Sequence, residues 1–516
     1  MVESIPSREM NDVGYDEIPP APSMVESMRA HGYTLPTAIA DLIDNSIAAK
    51  SDSVLLDFLW AGADSWISVV DDGIGMTEKG LSEAMRMGSR SPLEEREPDD
   101  LGRFGLGLKT ASLSQCRRLT VASKQSGSRL CVRRWDLDYL CRPDVTGWRL
   151  LRSVSPGSEE RIAPLMERDR GTLVLWEVLD RSVGDARRDD RAIHNHFLRL
   201  VEDVERHLSM VFHRFLVGAH PRLTIIVNGN KLRPWDPFLV AHKASQTTPE
   251  ESIALSGYSE PVRVRGYVLP HKDRLGEEEH VRASGPAGWN AQQGFYLYRN
   301  ERLIVPGSWL GLGPGRGWTQ EEHYKLARIR LDVPNAMDTL WQLDVKKSSA
   351  HPPPSIAKQL TGLAQKVRQD AREVFAHRGK YGRRSKKLGL MRPWKSVSRN
   401  GVLTYRIDRQ HSVIAVLLSS IPTKYQSDVD AALSIIEETV PIQQIWLDAA
   451  ERPEGVSPPF YSSGATRLRK IIQAAYEALR RSRKIDHAEA VGVLLSAQEF
   501  ETEEAQAIIA SLGDIE

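Results

Sequence analysis

Two carboxylates and an amide stand where a helix and the end of a strand would hold them. Asp41 and Asn45 are four residues apart in a helical pattern over 37–49 that Pro36 opens, so both fall on one face. A carboxylate there could polarise an attacking water, and the amide oxygen could give one hard ligand to a magnesium ion. Asp71 closes an apolar strand pattern over 65–70 and leads into Asp72-Gly73-Ile74-Gly75. Its carboxylate can accept a hydrogen bond from the amino group of a base, while the glycines let the main chain approach the base plane. The third segment is Gly102-Arg103-Phe104-Gly105-Leu106-Gly107-Leu108-Lys109, which runs into a helix through residue 115. Amides at a helix N-terminus and the dipole behind them favour phosphate. Lys109 adds a cation in the first turn, a place the dipole disfavours unless an anion is bound there.

Each segment alone has an ordinary reading. Polar residues occur on half-exposed helices, and Asp-Gly is a common turn pair. The glycine loop is neither a P-loop, since the terminal Gly-Lys-Ser/Thr is missing, nor a dinucleotide fingerprint, since it does not follow the first strand. In this order the three outline an ATP site: an acid for water, an amide for metal, an acid for the base edge, glycines for phosphate. Further on, Leu343-Asp344-Val345-Lys346-Lys347-Ser348 could report the third phosphate to the rest of the molecule.

The elements that must position these residues alternate between helix and strand. Strands are predicted over 53–60, 65–70 and 171–176, and a long amphipathic helix over 192–215. Near residue 222 the texture changes. A strand over 223–230 enters an Asn228-Gly229 hairpin and is expected to open a second α/β domain. Strands over 262–269, 294–298 and 327–332 follow, with helices over 336–341 and 354–376. From Arg378 to Arg399 the chain carries Lys380, Arg383, Arg384, Lys386, Lys387, Arg392 and Lys395 and no acid. That run, with Tyr381 and Trp394 interleaved, could hold a phosphate backbone or be a solvated linker. Amphipathic helices over 466–483 and 486–498 mark a mainly helical end suited to dimerisation or partner docking. The domains expected are a polar tail 1–20, a nucleotide domain 21–217, an α/β domain 218–376, a basic linker 377–399 and a helical region 400–516.

The chain has 516 residues and a formal net charge of +1, which gives room for about three domains of roughly 150 residues and no global signal for nucleic acid. Its three cysteines, Cys116, Cys131 and Cys141, show no metal or disulfide spacing. The acidic, polar start is unlike a signal peptide, and no apolar run approaches the roughly 18 residues of a membrane helix. A cytoplasmic protein without membrane contact is expected.

The order of motifs resembles the GHKL ATPases, the group of gyrase B subunits, Hsp-type chaperones, histidine kinases, MutL and MORC proteins. The resemblance covers about residues 20–375. Ile39-Ala40-Asp41-Leu42-Ile43-Asp44-Asn45-Ser46 and Leu101-Gly102-Arg103-Phe104-Gly105-Leu106-Gly107-Leu108-Lys109-Thr110 look most like the MORC and MutL versions. It implies an α/β two-layer sandwich of the Bergerat type, then a transducer-like (ribosomal S5-like) domain. By the same resemblance Asn45 would hold Mg2+ and Asp71 would read adenine, backed by Thr172. Gly73 and Gly75 would line the base. Met76, also a nucleotide contact, would open a lid that runs to Asp100 and includes Ser89, Arg90 and Ser91. Gly102, Arg103, Phe104, Gly105, Leu106, Gly107 and Lys109 would wrap the phosphates, and Lys346 or Lys347 would reach the γ-phosphate. Asp41 would be the general base where the family usually has glutamate. One methylene less moves the carboxylate on the order of 1 Å, and such a misplacement can cost about a hundredfold in rate. Slow hydrolysis is therefore expected.

The resemblance further implies an ATP-gated homodimeric clamp, with duplex DNA and helicase-like or nuclease proteins of a bacterial restriction-like or anti-phage defence system as partners. Two other readings stand beside it. A non-hydrolysing ATP-sensing scaffold fits the aspartate at position 41. A histidine-kinase-like phosphotransferase would need a helical histidine-bearing domain before the site, where only about twenty residues stand.

Overall fold

Thr34 starts the helix on which much of the site is built. Its hydroxyl accepts from the Thr37 amide while the Thr37 hydroxyl reaches back to the Thr34 amide, and Pro36 fits the first turn. In the computed structural model this helix, α1, spans Leu35–Ala48. The structure describes residues 29, 32–86, 107–145, 147–342, 350–376, 393–399, 402–442, 444–445, 464–483, 485–495, 497, 500 and 502–513.

Alternating burial makes the first sheet. In β1 (Ser53–Leu59), Val54, Leu56 and Phe58 point to one buried face. β2 (Trp66–Asp71) pairs antiparallel with it, Val54 opposite Asp71. β3 (Arg118–Lys124), β4 (Cys131–Asp136), β5 (Gly171–Glu177), β6 (Thr224–Val227) and β7 (Asn230–Lys231) complete seven strands in the order β4-β3-β5-β2-β1-β6-β7. Helices α1, α3 (Gly107–Gln115) and α4 (Arg191–Val211) form the second layer, with α1 against both of the others. Ile39, Ile43, Val69, Leu119, Val121, Phe197 and Leu208 fill the space between. The opposite face carries a smaller cluster, Val70, Ala122, Leu173 and Leu175 beneath Ile162 and Leu165. Helix α2 (Glu78–Met85) follows the Asp-x-Gly-x-Gly turn. This is the expected two-layer α/β sandwich.

The strand expected to open the second domain does not do so. β6 lies parallel to β1, Ser53 opposite Thr224, and β7 turns back on it. The Asn-Gly turn was legible locally; the edge that it joins is set by β1, which parallel pairing reaches only through a long crossover.

A second sheet follows, built of β8 (Gln246–Thr247), β9 (Glu251–Ile253), β10 (Val262–Val268), β11 (Gly294–Arg299), β12 (Arg302–Ser308) and β13 (Ala327–Val333). Its order is β12-β11-β13-β10-β8, with β9 on β10 and a parallel β11–β13 pair. Helix α5 (Pro354–Ala376) buries Ile356, Leu360, Leu363, Val367, Ala371 and Val374 on β10 and β13. The helix expected over 336–341 is a single 3-10 turn, Asn335–Met337. Just past α4, His213 Nε2 lies 2.7 Å from the Tyr298 hydroxyl, and Arg214 stacks on that ring and pairs with Asp332. These contacts tie the helical layer of the first sheet to the second.

Residues 1–379 form one compact unit and 380–516 another. In the second unit, β14 (Trp394–Arg399) and β15 (Val402–Ile407) make an antiparallel hairpin. The end of the expected linker is thus a strand, and the last region is helical with a hairpin before it. α6 (Ser412–Ser420) and α7 (Thr423–Glu438) come next. α8 (Ala465–Arg483), α9 (His487–Leu495) and α10 (Glu503–Ala510) then close over Leu468, Ile472, Leu479, Val493, Leu494 and Ile509. Among the described residues no helix is long and apolar enough to cross a membrane.

Candidate nucleotide-binding site

Asp71 is the last residue of β2, opposite Thr172 of β5. Its Oδ1 accepts the main-chain N–H of Gly73 at 2.9 Å and of Thr172 at 3.1 Å, and its Oδ2 accepts the Ser46 hydroxyl at 3.1 Å. Burial pushes the carboxyl above its ordinary pKa, and these three donors oppose the shift. An ionised carboxylate offers about four lone-pair positions, so three donors leave one for a ligand. As an acceptor it selects a donor, such as an exocyclic amino group.

The turn after Asp71 is held from two sides. Ile74 donates its N–H to the Ala49 carbonyl at the end of α1. Gly75 has φ +67°, and a Cβ there would sit 1.9 Å from the Lys124 carbonyl oxygen, so only glycine fits. A Cβ on Gly73 would approach that of Ala49 to 2.8 Å. Met76 is half-buried and donates its N–H to Ser123 Oγ at 2.8 Å. Ser123 Oγ in turn lies 2.9 Å from the Thr172 hydroxyl. Thr172 thus meets Asp71 through its amide and Ser123 through its side chain.

Helix α1 presents Asp41 and Asn45 one turn apart, Asp41 buried and Asn45 exposed. Tyr33 donates its phenol to Asp41 Oδ2 at 2.9 Å. A Cβ on Gly107 would lie 3.4 Å from that same oxygen, so the first residue of α3 is beside the carboxylate. Lys109 is also buried. Its Nζ donates to the Ala84 carbonyl at 2.9 Å, and burial lowers its pKa to about 8. With Trp135 Nε1 on the Met85 carbonyl at 2.9 Å, the last carbonyls of α2 are held by two side chains. Gly102, Arg103, Phe104, Gly105, Leu106, Ser89, Arg90, Ser91, Lys346 and Lys347 lie outside the described residues.

Four contributors escaped the sequence reading. Ser46 stands one residue past Asn45, inside the motif, and a hydroxyl among apolar positions was the only signal. Ser123 lies in a strand whose polar residues hid its pattern. Tyr33 precedes the helix cap and has no periodic partner. Asp44, between Asp41 and Asn45, is buried and ion-paired to Arg302 of β12.

The model of the family described as histidine kinase-, DNA gyrase B-, and HSP90-like ATPase matches residues 33–172. That stretch holds α1, Asp71, the described start of α3, and Thr172. The chain is also similar to the ATPase morc-1 of Caenorhabditis elegans, 30% identical over 91 residues. The similarity covers 18% of this chain and 10% of that protein. Over residues 33–172 the chain is therefore similar to the ATPase domains of the GHKL superfamily, with a likeness that runs toward the MORC branch.

Proposed function

We propose that the chain binds ATP with Mg2+ at this site, hydrolyses it slowly and uses it to gate a dimeric clamp. The observation that carries the reading is the convergence on α1. One face of this helix sets Asp41 beside the start of α3, and the same helix gives Ser46 to the carboxylate of Asp71.

Asp71 would take the adenine amino group in its remaining acceptor position, with Gly73, Gly75 and Met76 beside the base. The exposed amide of Asn45 fits a magnesium ion that takes one protein ligand and shares the rest with phosphates and water. When bound, the ion would neutralise charge on the phosphate oxygens. Residues 102–107 and Lys109 belong to the stretch assigned to the phosphates, and Lys346 or Lys347 to the third of them. Asp41, as general base, would take a proton from the attacking water.

Ordering of contacts that only a third phosphate supports would then bias a two-state assembly of two chains. Duplex DNA is the partner we favour, in a cytoplasmic restriction-like or anti-phage system with helicase-like or nuclease proteins. The MORC-like likeness and the basic run 378–399 support that choice. One observation favours a second reading: aspartate replaces glutamate at position 41, which suits an ATP-sensing scaffold that does not turn over.

The test is ATP turnover with and without duplex DNA, beside Asp41→Ala and Asn45→Ala. Turnover lost in both variants and raised by DNA is the expected result. ATP that binds through Asn45 and is never hydrolysed would overturn the enzyme in favour of the scaffold.

A further inference from the structure

We infer that Tyr33 is a positioning residue for Asp41, the group that compensates for a base one methylene short. The inference rests on the reading of Asp41 as the general base. Tyr33 lies two residues before α1, and its phenol donates to Asp41 Oδ2 at 2.9 Å.

The phenol is itself fixed from α3. The Thr110 hydroxyl donates to the phenol oxygen, and Gln115 Nε2 donates to the Tyr33 carbonyl at 3.1 Å. The chain of contacts therefore runs from α3, whose first residue adjoins Asp41, through Tyr33 and back to the carboxylate. A base works when its lone pair is aimed, and a nearby donor that fixes carboxylate rotation supplies the aim. With a short side chain this matters more, since few torsions remain to correct an error. Burial and the neighbouring carboxylate also keep the phenol protonated, so it remains a donor.

A packing role alone would require only the ring, which rests against the first core. Tyr33→Phe keeps the ring and removes the donor, so it separates the two roles. The experiment compares wild type, Tyr33→Phe, Asp41→Asn and the double variant by single-turnover phosphate release from ATP. Equilibrium ATP binding and thermal melting are measured on the same samples. Tyr33→Phe should lose turnover about tenfold, the scale of a hydrogen bond to a charged group, while affinity and melting stay unchanged. In the Asp41→Asn background it should cost nothing further, because residues that act as a unit are not additive.

Wild-type turnover in Tyr33→Phe with Asp41→Asn inactive would overturn the inference and leave the base in place. An equal loss in both backgrounds, or a loss that tracks affinity and melting, would assign Tyr33 to structure alone. Unchanged turnover in Asp41→Asn would remove the base reading itself. So would a wild type that binds ATP without hydrolysing it, and the inference would fall with that reading.

Discussion

Arg302 Nε donates to Asp44 Oδ1 at 2.8 Å, joining two side chains 258 residues apart in the chain, both buried. The guanidinium also donates to the Leu303 carbonyl and lies 5.7 Å from the Phe212 ring. Nearby, burial and then Arg302 lower the pKa of His207 to about 4, so its imidazole is neutral and adds no competing charge. Asp44 is flanked in α1 by Asp41 and Asn45, and Arg302 opens β12 of the second sheet. The helix of the site is thus fastened to the sheet behind it.

Removing one partner would leave a charge buried without its counterpart. Arg302→Met alone should destabilise the protein by about 3–5 kcal/mol in urea unfolding. Asp44→Leu combined with Arg302→Met should recover most of that loss, because a hydrophobic pair of similar volume replaces a buried ion pair at little cost. A double variant as unstable as the single one would show that the pair's geometry, not its charge balance, holds the sheets together.

Burial raises the pKa of the Asp71 carboxyl, against the pull of its three hydrogen-bond donors. Its folded pKa lies above the unfolded value of about 3.9, so the folded chain holds this proton more tightly. The stability contributed is full at low pH and is lost as pH rises through the folded pKa. Asparagine keeps the Gly73 and Thr172 bonds through its oxygen and can donate to Ser46. Asp71→Asn should therefore melt no lower than wild type at neutral pH, yet lose ATP affinity at least about tenfold, because a donor now faces a donor. Melting curves beside fluorescent-nucleotide binding check both halves.

For Lys109 the sign is reversed in pH. Its pKa of about 8 lies below the unfolded value of about 10.4. Between those values the unfolded chain binds more protons, so stability should rise with pH across this window. Below about pH 8 the burial penalty of the ammonium is present in full. Lys109→Met should flatten the rise, read from thermal melts between about pH 8 and about pH 10.

Gly75 and Gly127 offer a matched comparison. Both have positive φ, +67° and +71°, but a Cβ at Gly127 meets nothing within 4 Å. Gly127→Ala should cost about 1–2 kcal/mol from backbone strain alone. Gly75→Ala adds a collision with the main-chain carbonyl of Lys124 and should cost more while weakening nucleotide binding. Equal unfolding energies for the two would show that the Lys124 strand yields.

The legible parts of this fold are those with a period. Helix α5 follows from its apolar spacing, and β2 ends at Asp71 because its apolar run ends there. Strands β3 and β4 were missed for the converse reason: Arg118, Ser123, Arg133 and Arg134 interrupt the apolar pattern. In the structure Arg118 pairs with Asp136, and Arg133 pairs with Glu78. Within the site, the motifs point to Asp41, Asn45 and Asp71 but not to what steadies them. Tyr33, Ser46 and Ser123 act through side-chain hydrogen bonds that leave no spacing to read. Arg302 is one of 69 basic side chains until topology brings it to Asp44. Lys109 was legible as a first-turn cation, while the carbonyl of Ala84 that receives it belongs to another helix.

The parallel pairing of β1 with β6 also bears on how the chain comes off the ribosome. Residues 53–56 wait for residues 224–227, and the Phe58 amide waits for the side chain of Asn228, 2.8 Å away in the finished fold. Until then one edge of β1 is bare, and a bare strand edge is an invitation to pair with a neighbouring nascent chain. The first sheet is therefore completed by a segment translated well after the motifs of the candidate site.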